Sequence, residues 1–302
     1  MTEAPTTHAP NSAVQERLSR PERGDRLEVT TDSLAFEGKA VARRHDGYVI
    51  FVEGALAEER VLVEIRKAKS NFAEARLVEV IASGPDRRPA LCPYFGICGG
   101  CALQHLNYEA QLNWKKLQVR DLFERVGKIA SPPLRDVLAA RDEYHYRNKM
   151  EFSFSEERWL LDEEIASGDV QDRFAVGLHV RERFDRVIDT QVCFLPKQVV
   201  TDIVNFTRKF ARDNELGVYS PGSGRRAPAS TPDETSSNAS LENSTGLLRF
   251  LVVKTSYSTG EIMVNLVTSR DEPTVMEQYT RELIAAIPGI TTVVNNVNQR
   301  RA

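Results

Sequence analysis

Between Gly24 and about Ile81 the apolar residues come in short alternating runs. Leu27-Glu28-Val29, Tyr48-Val49-Ile50-Phe51-Val52, Val61-Leu62-Val63-Glu64-Ile65 and Ala73-Glu74-Ala75-Arg76-Leu77-Val78 have the period of two that puts one face of a strand on a core. Turn pairs at Glu37-Gly38, Asp46-Gly47 and Glu53-Gly54 separate them. Four or five strands packed this closely predict a small β-barrel of OB-like type.

The period changes after Ser83-Gly84-Pro85-Asp86. Asn107 can cap a helix running to about Val126, with Gly127 as its stop; Val119, Leu122, Phe123 and Val126 form its apolar stripe. Tyr146 to Phe154 alternates again, with Tyr146, Met150, Phe152 and Phe154 on one face and Arg147, Lys149 and Glu151 on the other. Helical spacing returns from Lys197 to Asp213 through Val199, Ile203, Phe206 and Phe210. Strands are expected at Leu248–Lys254 and Ile262–Thr268, then a helix over 272–286 and a strand at Ile290–Val294. That order predicts an α/β layer. Residues 1–21 read as a disordered arm, and the Pro/Ser/Thr-rich stretch 222–245 as a disordered insertion.

Composition narrows the class. The 302 residues suit two domains, and 41% apolar residues can build two cores. No run approaches the ~20 apolar residues that span a bilayer, and the first residues lack the basic and apolar regions of a secretory signal. No membrane association is expected, and the expected location is cytoplasmic. A formal net charge of −3 argues against a histone-like binder but permits a local basic groove.

Three of the four cysteines fall close together, Cys92, Cys98 and Cys101, with Cys193 far behind. Four thiolates suffice for a tetrahedral zinc or a [4Fe–4S] cluster, and the spacing is nearer that of plant-type ferredoxins than of paired zinc knuckles. Gly96, Gly99 and Gly100 are expected to allow positive φ and close backbone approach in the tight loop. His105 is a rival ligand, for a Cys3His zinc site that would leave Cys193 free. No Ser/His/Asp or Cys/His catalytic arrangement is evident. Basic candidates for phosphate contact are Arg43-Arg44, the run Arg66, Lys67 and Lys69, and the pair Arg147 and Lys149 beside aromatic residues. Glu58, Glu59, Glu64 and Glu74 dilute the first two groups.

The segment Cys92-Pro-Tyr-Phe-Gly-Ile-Cys98-Gly-Gly-Cys101-Ala-Leu-Gln-His105-Leu, followed by Tyr108-Glu-Ala-Gln-Leu, resembles the iron–sulfur loop of the 23S rRNA (uracil-5-)-methyltransferases and their tRNA-modifying relatives. Tyr146-Arg-Asn-Lys-Met-Glu-Phe152, Arg183-Phe-Asp-Arg-Val-Ile-Asp189 and Gly260-Glu-Ile-Met-Val-Asn-Leu266 are similar to the same family. The N-terminal strands, with Gly24-Asp25, Glu37-Gly38-Lys39-Ala40-Val41-Ala42 and Val52-Glu-Gly-Ala55, resemble its TRAM domain. The resemblance covers residues 22–302 apart from the insertion. It implies a [4Fe–4S] cluster on Cys92, Cys98, Cys101 and Cys193. It also implies RNA as substrate, with ribosomal RNA placed ahead of transfer RNA, and S-adenosylmethionine as methyl donor. A cysteine of the family adds to C6 of a flipped uracil before C5 takes the methyl group.

The expected fold class is therefore α+β and multi-domain. A TRAM barrel at 22–84 precedes an iron–sulfur loop and central α/β domain at 85–302, and a C-terminal Rossmann-like methyltransferase domain is expected to be missing. With four cysteines matched to four cluster positions, no nucleophile remains, so the chain alone is expected to be inactive. The alternatives are a non-enzymatic RNA-binding iron–sulfur module and a zinc-stapled binding protein. Neither a DNA partner nor any oligomeric state is implied.

Overall fold

A computed structural model describes residues 19–168, 172–220 and 246–300. Most of the N-terminal arm, all of the 222–245 insertion and the last two residues lie outside that description. The chain divides into two compact units. The first comprises residues up to Arg88 together with His105–Val137; the second comprises Pro89–Gln104 together with 138–302.

In the first unit, β1 (Arg26–Leu34), β2 (Ala40–Arg43), β3 (Val49–Glu53), β4 (Arg60–Ala68) and β5 (Phe72–Ala82) close into a barrel in the order β1-β2-β3-β5-β4. The alternation seen in the sequence lines its interior: Ile50, Val52, Val61, Val63, Ile65 and Ala73 are fully buried. Each valine or isoleucine among them contributes roughly 1.5–3 kcal/mol when removed from water. One acid is buried among them. Glu59 accepts a 2.7 Å bond from the Leu56 N–H and pairs with the Arg87 guanidinium. Burial is the largest single influence and would raise its carboxyl pKa, but the hydrogen bonds from Arg87, Leu56 and Gly84 and the Arg87 charge together outweigh it and hold the group below the ordinary value.

Asn107 caps α1 (Tyr108–Asp121), its side chain accepting from the Ala110 N–H at 2.8 Å and donating to Asp86 Oδ1 at 2.6 Å. The helical run ends at Val126, as its periodicity predicted, but its last turn changes type. Leu122–Val126 forms a π turn, and Gly127 closes it. The predicted apolar stripe is not a core face: Val119, Leu122 and Phe123 are exposed, and Val126 is 76% exposed. Periodicity identifies a face but not what covers it.

The second unit is a seven-stranded sheet. It contains β6 (Lys149–Ser155), β7 (Arg158–Trp159), β8 (Ala175–Val180), β9 (Arg183–Asp189), β10 (Leu248–Thr255), β11 (Ile262–Thr268) and β12 (Thr292–Val297), in the order β12-β11-β10-β6-β8-β9-β7. Most pairs are antiparallel; β11–β12 and β7–β9 are parallel. The β11–β12 crossover runs through α4 (Pro273–Ala286), and α3 (Gln198–Asp213) joins it in the core; the short α2 (Asp162–Ser167) follows β7. Phe152, Leu251, Val253, Val264 and Leu266 from the sheet pack with Ile203, Tyr279 and Leu283 from these helices. Tyr279 is fully buried, yet its hydroxyl is satisfied by Thr207 Oγ1 at 2.8 Å. Gly177 permits the β8–β9 approach, since a Cβ there would meet the Ile188 carbonyl oxygen at 1.9 Å. β8 and β9 were not predicted as strands. Each is a short run with Gly or several charges, which blunts the alternation signal.

Candidate metal centre and nucleic-acid interface

The cysteine loop belongs to the second unit and is stitched along β8. Gly99 N–H donates to the His179 carbonyl at 3.0 Å, and Arg181 N–H to the Ile97 carbonyl at 2.8 Å. Cys98 N–H donates to the Tyr94 carbonyl at 2.8 Å, closing the first turn. Of the three loop glycines, Gly96 takes positive φ (+89°), while Gly99 and Gly100 do not. A Cβ on either of the latter two would make only ordinary van der Waals contacts, 3.4 Å from the His179 carbonyl oxygen at Gly99 and 3.5 Å from Cys98 Sγ at Gly100, so neither position demands glycine.

Cys193 follows β9 and is buried in the main core, 92 positions after Cys101 by subtraction of their numbers. The structure brings all four together: Cys92, Cys98, Cys101 and Cys193 line one cavity with Tyr94, Phe95, Leu178 and Leu195. All four are free thiols. Among the described residues, no group of three or more His, Cys, Asp or Glu side chains forms a single-ion site. His105 lies in the first unit and is not among the lining residues. Burial in this apolar space raises the thiol pKa values of Cys92 and Cys98 and pushes that of Cys193 up to about 11. The neighbouring thiols add repulsion to each of these groups. Such thiols are poor free nucleophiles at neutral pH. As a donor set they fit a cationic iron–sulfur core, which would cancel the repulsion and tolerate the dry wall.

The strand of chain after Cys193 is shared with a predicted RNA-contact segment. His145 N–H donates to the Phe194 carbonyl at 2.7 Å and Arg147 N–H to the Leu195 carbonyl at 2.9 Å. Arg147 and Lys149 are exposed, and Tyr146 beside them is 53% exposed. Lys149 stands opposite Lys254 on β10. Like charges directly opposed on adjacent strands destabilise a sheet unless an anion compensates them, although Glu151 Oε2 lies 3.9 Å from the Lys149 ammonium. Lys197 Nζ lies 4.1 Å over the exposed Tyr257 ring. Sequence reasoning missed Lys197, Lys254 and Tyr257, because only the β10–β11 hairpin and the turn before α3 bring them to this face.

Arg66, Lys67 and Lys69 occupy the β4–β5 end of the barrel and are exposed. Glu64 takes part of the Arg66 charge at 3.7 Å while also pairing with Arg76 and Arg26. Arg43 and Arg44 are held by Asp32 and Asp46, at 2.5 and 2.6 Å.

The TRAM domain family matches residues 20–78, the barrel. Over 96% of its length the chain is 36% identical to an "uncharacterized RNA methyltransferase" of Chlorobaculum tepidum, and it covers 57% of that protein. A similarly named protein of Porphyromonas gingivalis is 34% identical over 91% of the chain, of which the chain covers 55%. The chain thus spans about half the length of the curated relatives it matches. Among solved structures, it resembles that of a Pyrococcus abyssi tRNA (uracil-54, C5)-methyltransferase bound to S-adenosyl-L-homocysteine. The TM-score is 0.56 at 18% identity, covering 91% of this chain and 52% of that one. These coverages correct one expectation of the sequence analysis, the fold class with a missing Rossmann-like domain. Almost the whole chain aligns with RNA methyltransferases and shares the fold of a solved one, so its end point is no ground for declaring a methyltransferase domain lost.

Proposed function

We propose that the protein acts in C5 methylation of a uracil in structured RNA, with S-adenosylmethionine as donor, and that the described residues hold the RNA. The TRAM match and the RNA methyltransferase names of its relatives support this reading. Ribosomal RNA is the proposed substrate, and the setting is cytoplasmic. Cys92, Cys98, Cys101 and Cys193 would hold a [4Fe–4S] cluster. The observation that carries it is the convergence of four free thiols from two distant segments on one apolar cavity. The cluster, when bound, would cross-link the loop to the segment after β9 and neutralise the thiolates.

The chain's own residues do the rest. Arg147, Lys149, Lys197 and Lys254 would take phosphates, and Tyr146 and Tyr257 would offer faces for unstacked bases. Arg66, Lys67 and Lys69 would give the barrel a second phosphate contact. The four thiols are assigned to the cluster and not to nucleophilic catalysis. No residue is assigned here to the methyl donor.

Anaerobically purified protein is expected to contain iron and acid-labile sulfide; zinc without either would overturn the cluster. Arg147→Ala combined with Lys149→Ala should weaken binding of a 23S rRNA fragment. The slope of log affinity against log salt should flatten by about 1.5, the share of two phosphate contacts. An unchanged slope would remove this face from the interface, and stronger binding of transfer RNA would redirect the substrate.

A further inference from the structure

Gln104 is only 8% exposed and touches two of the four cysteines. Its Oε1 accepts from the Cys92 backbone N–H at 3.1 Å, and its Nε2 donates to Cys101 Sγ at 3.2 Å. The two bonds fix the orientation of the amide, because a flipped amide would set its NH2 against the Cys92 N–H. An ionised Glu has no donor and Lys has no acceptor, so neither reproduces both contacts. Other donors near the loop act differently. Gly100 N–H reaches Cys98 Sγ at 3.4 Å from the backbone, and Arg181 Nη2 donates to the Cys101 carbonyl rather than to sulfur. Gln104 therefore brings a side-chain N–H to a cysteine sulfur.

Donors that bond a ligating sulfur withdraw electron density and tune the potential of an iron–sulfur cluster. Partners that orient ligands also govern how firmly a metal is held. The geometry points to Gln104 as a positioning residue. It ties the Cys92 and Cys101 ends of the loop together and donates to Cys101 the N–H···S bond that raises the reduction potential of the cluster. This inference rests on the cluster reading given above.

Iron and sulfide analysis of the wild-type holoprotein comes first, since their absence would remove the cluster reading and this inference with it. Where the cluster is present, Gln104→Glu and Gln104→Met separate the two contacts. Glu keeps an acceptor for the Cys92 N–H and, when ionised, loses the donor; Met loses both. In EPR-monitored redox titrations both variants should shift to lower potential than wild type. Iron loss in air should accelerate by roughly 10–100-fold in Gln104→Met and less in Gln104→Glu. Wild-type potentials in both variants would overturn the inference, as would a lowered melting temperature with no change in potential. A measurement on the unmutated holoprotein stands if neither variant keeps its cluster. With ¹⁵N-glutamine labelling, pulsed EPR of the reduced cluster should detect a side-chain nitrogen coupling. Its absence would likewise refute the role.

Discussion

The two units bury polar chemistry in opposite ways. In the barrel unit, Glu59 is enclosed with its partners already in the chain: Arg87 supplies the opposite charge and Leu56 an N–H. In the sheet unit, four thiols face one cavity, their pKa values at Cys92, Cys98 and Cys193 raised by burial and by one another. The first arrangement is complete as a polypeptide; the second gains from whatever neutralises it. A buried charge with its partner needs nothing further, whereas buried thiols that face one another repel as soon as they ionise.

The largest effect should come from breaking that sulfur set. Cys193→Ser is expected to abolish cluster loading and to remove the cooperative thermal transition of the sheet unit, while the barrel unit keeps its own. The two tryptophans make this measurable, because Trp114 lies on α1 in the first unit and Trp159 on β7 in the second. Trp159 packs with Cys92 and Cys98 in a small apolar cluster, so its fluorescence should also report cluster loss. Trp114→Phe and Trp159→Phe backgrounds assign the transitions; equal loss in both units would mean that the cavity does not organise its unit alone.

A smaller but still large loss should follow Arg87→Ala, which strands Glu59 inside the barrel. Removing one partner of a buried ion pair costs about 3–5 kcal/mol. In the wild type the folded pKa of Glu59 is lowered, so its contribution is present above the ordinary carboxylate range and disappears as pH falls through the folded value. In the variant, burial without Arg87 raises the pKa, and protonation relieves the strain. The stability gap between the two proteins, read from urea midpoints of Trp114 emission, should therefore narrow from pH 7 to pH 4. A gap independent of pH would show that Arg87 acts by packing.

These contrasts also show what the sequence discloses. Elements with strong alternation or helical spacing, such as β11 at Ile262–Thr268 and α3 at Gln198–Asp213, were legible to within a residue, because their apolar faces are local facts. The stripe Val119, Leu122, Phe123 and Val126 had equally good spacing and is exposed, because burial depends on a neighbour that spacing cannot name. The cysteine loop announced sulfur chemistry, but spacing left Cys193 and His105 as rivals. Their separation depends on the turn after β9, a tertiary fact. Gln104 and the Lys197–Tyr257 pair were hidden for a related reason: their partners are set by side-chain reach across a turn, which no periodicity encodes.

The finest test of the comparison is the cap of α1, where the barrel unit relies on one neutral side chain. Asn107 receives the Ala110 N–H and donates to Asp86, so it both starts the helix and ties it to the segment leaving β5. Asn107→Ala should cost about 1 kcal/mol, the usual value of a lost N-cap. Asn107→Asp should restore the acceptor, and its negative charge suits the helix N-terminus, but it faces Asp86 at the position now bonded at 2.6 Å. The expected order of barrel-unit stability is thus Asn above Asp above Ala at neutral pH, with Asp gaining on Asn as salt screens the two carboxylates. If Ala and Asp proved equal, the Asp86 bond would be the contact that matters and the cap would be incidental. If Asp matched Asn at low salt, the helix would be held by its cap alone.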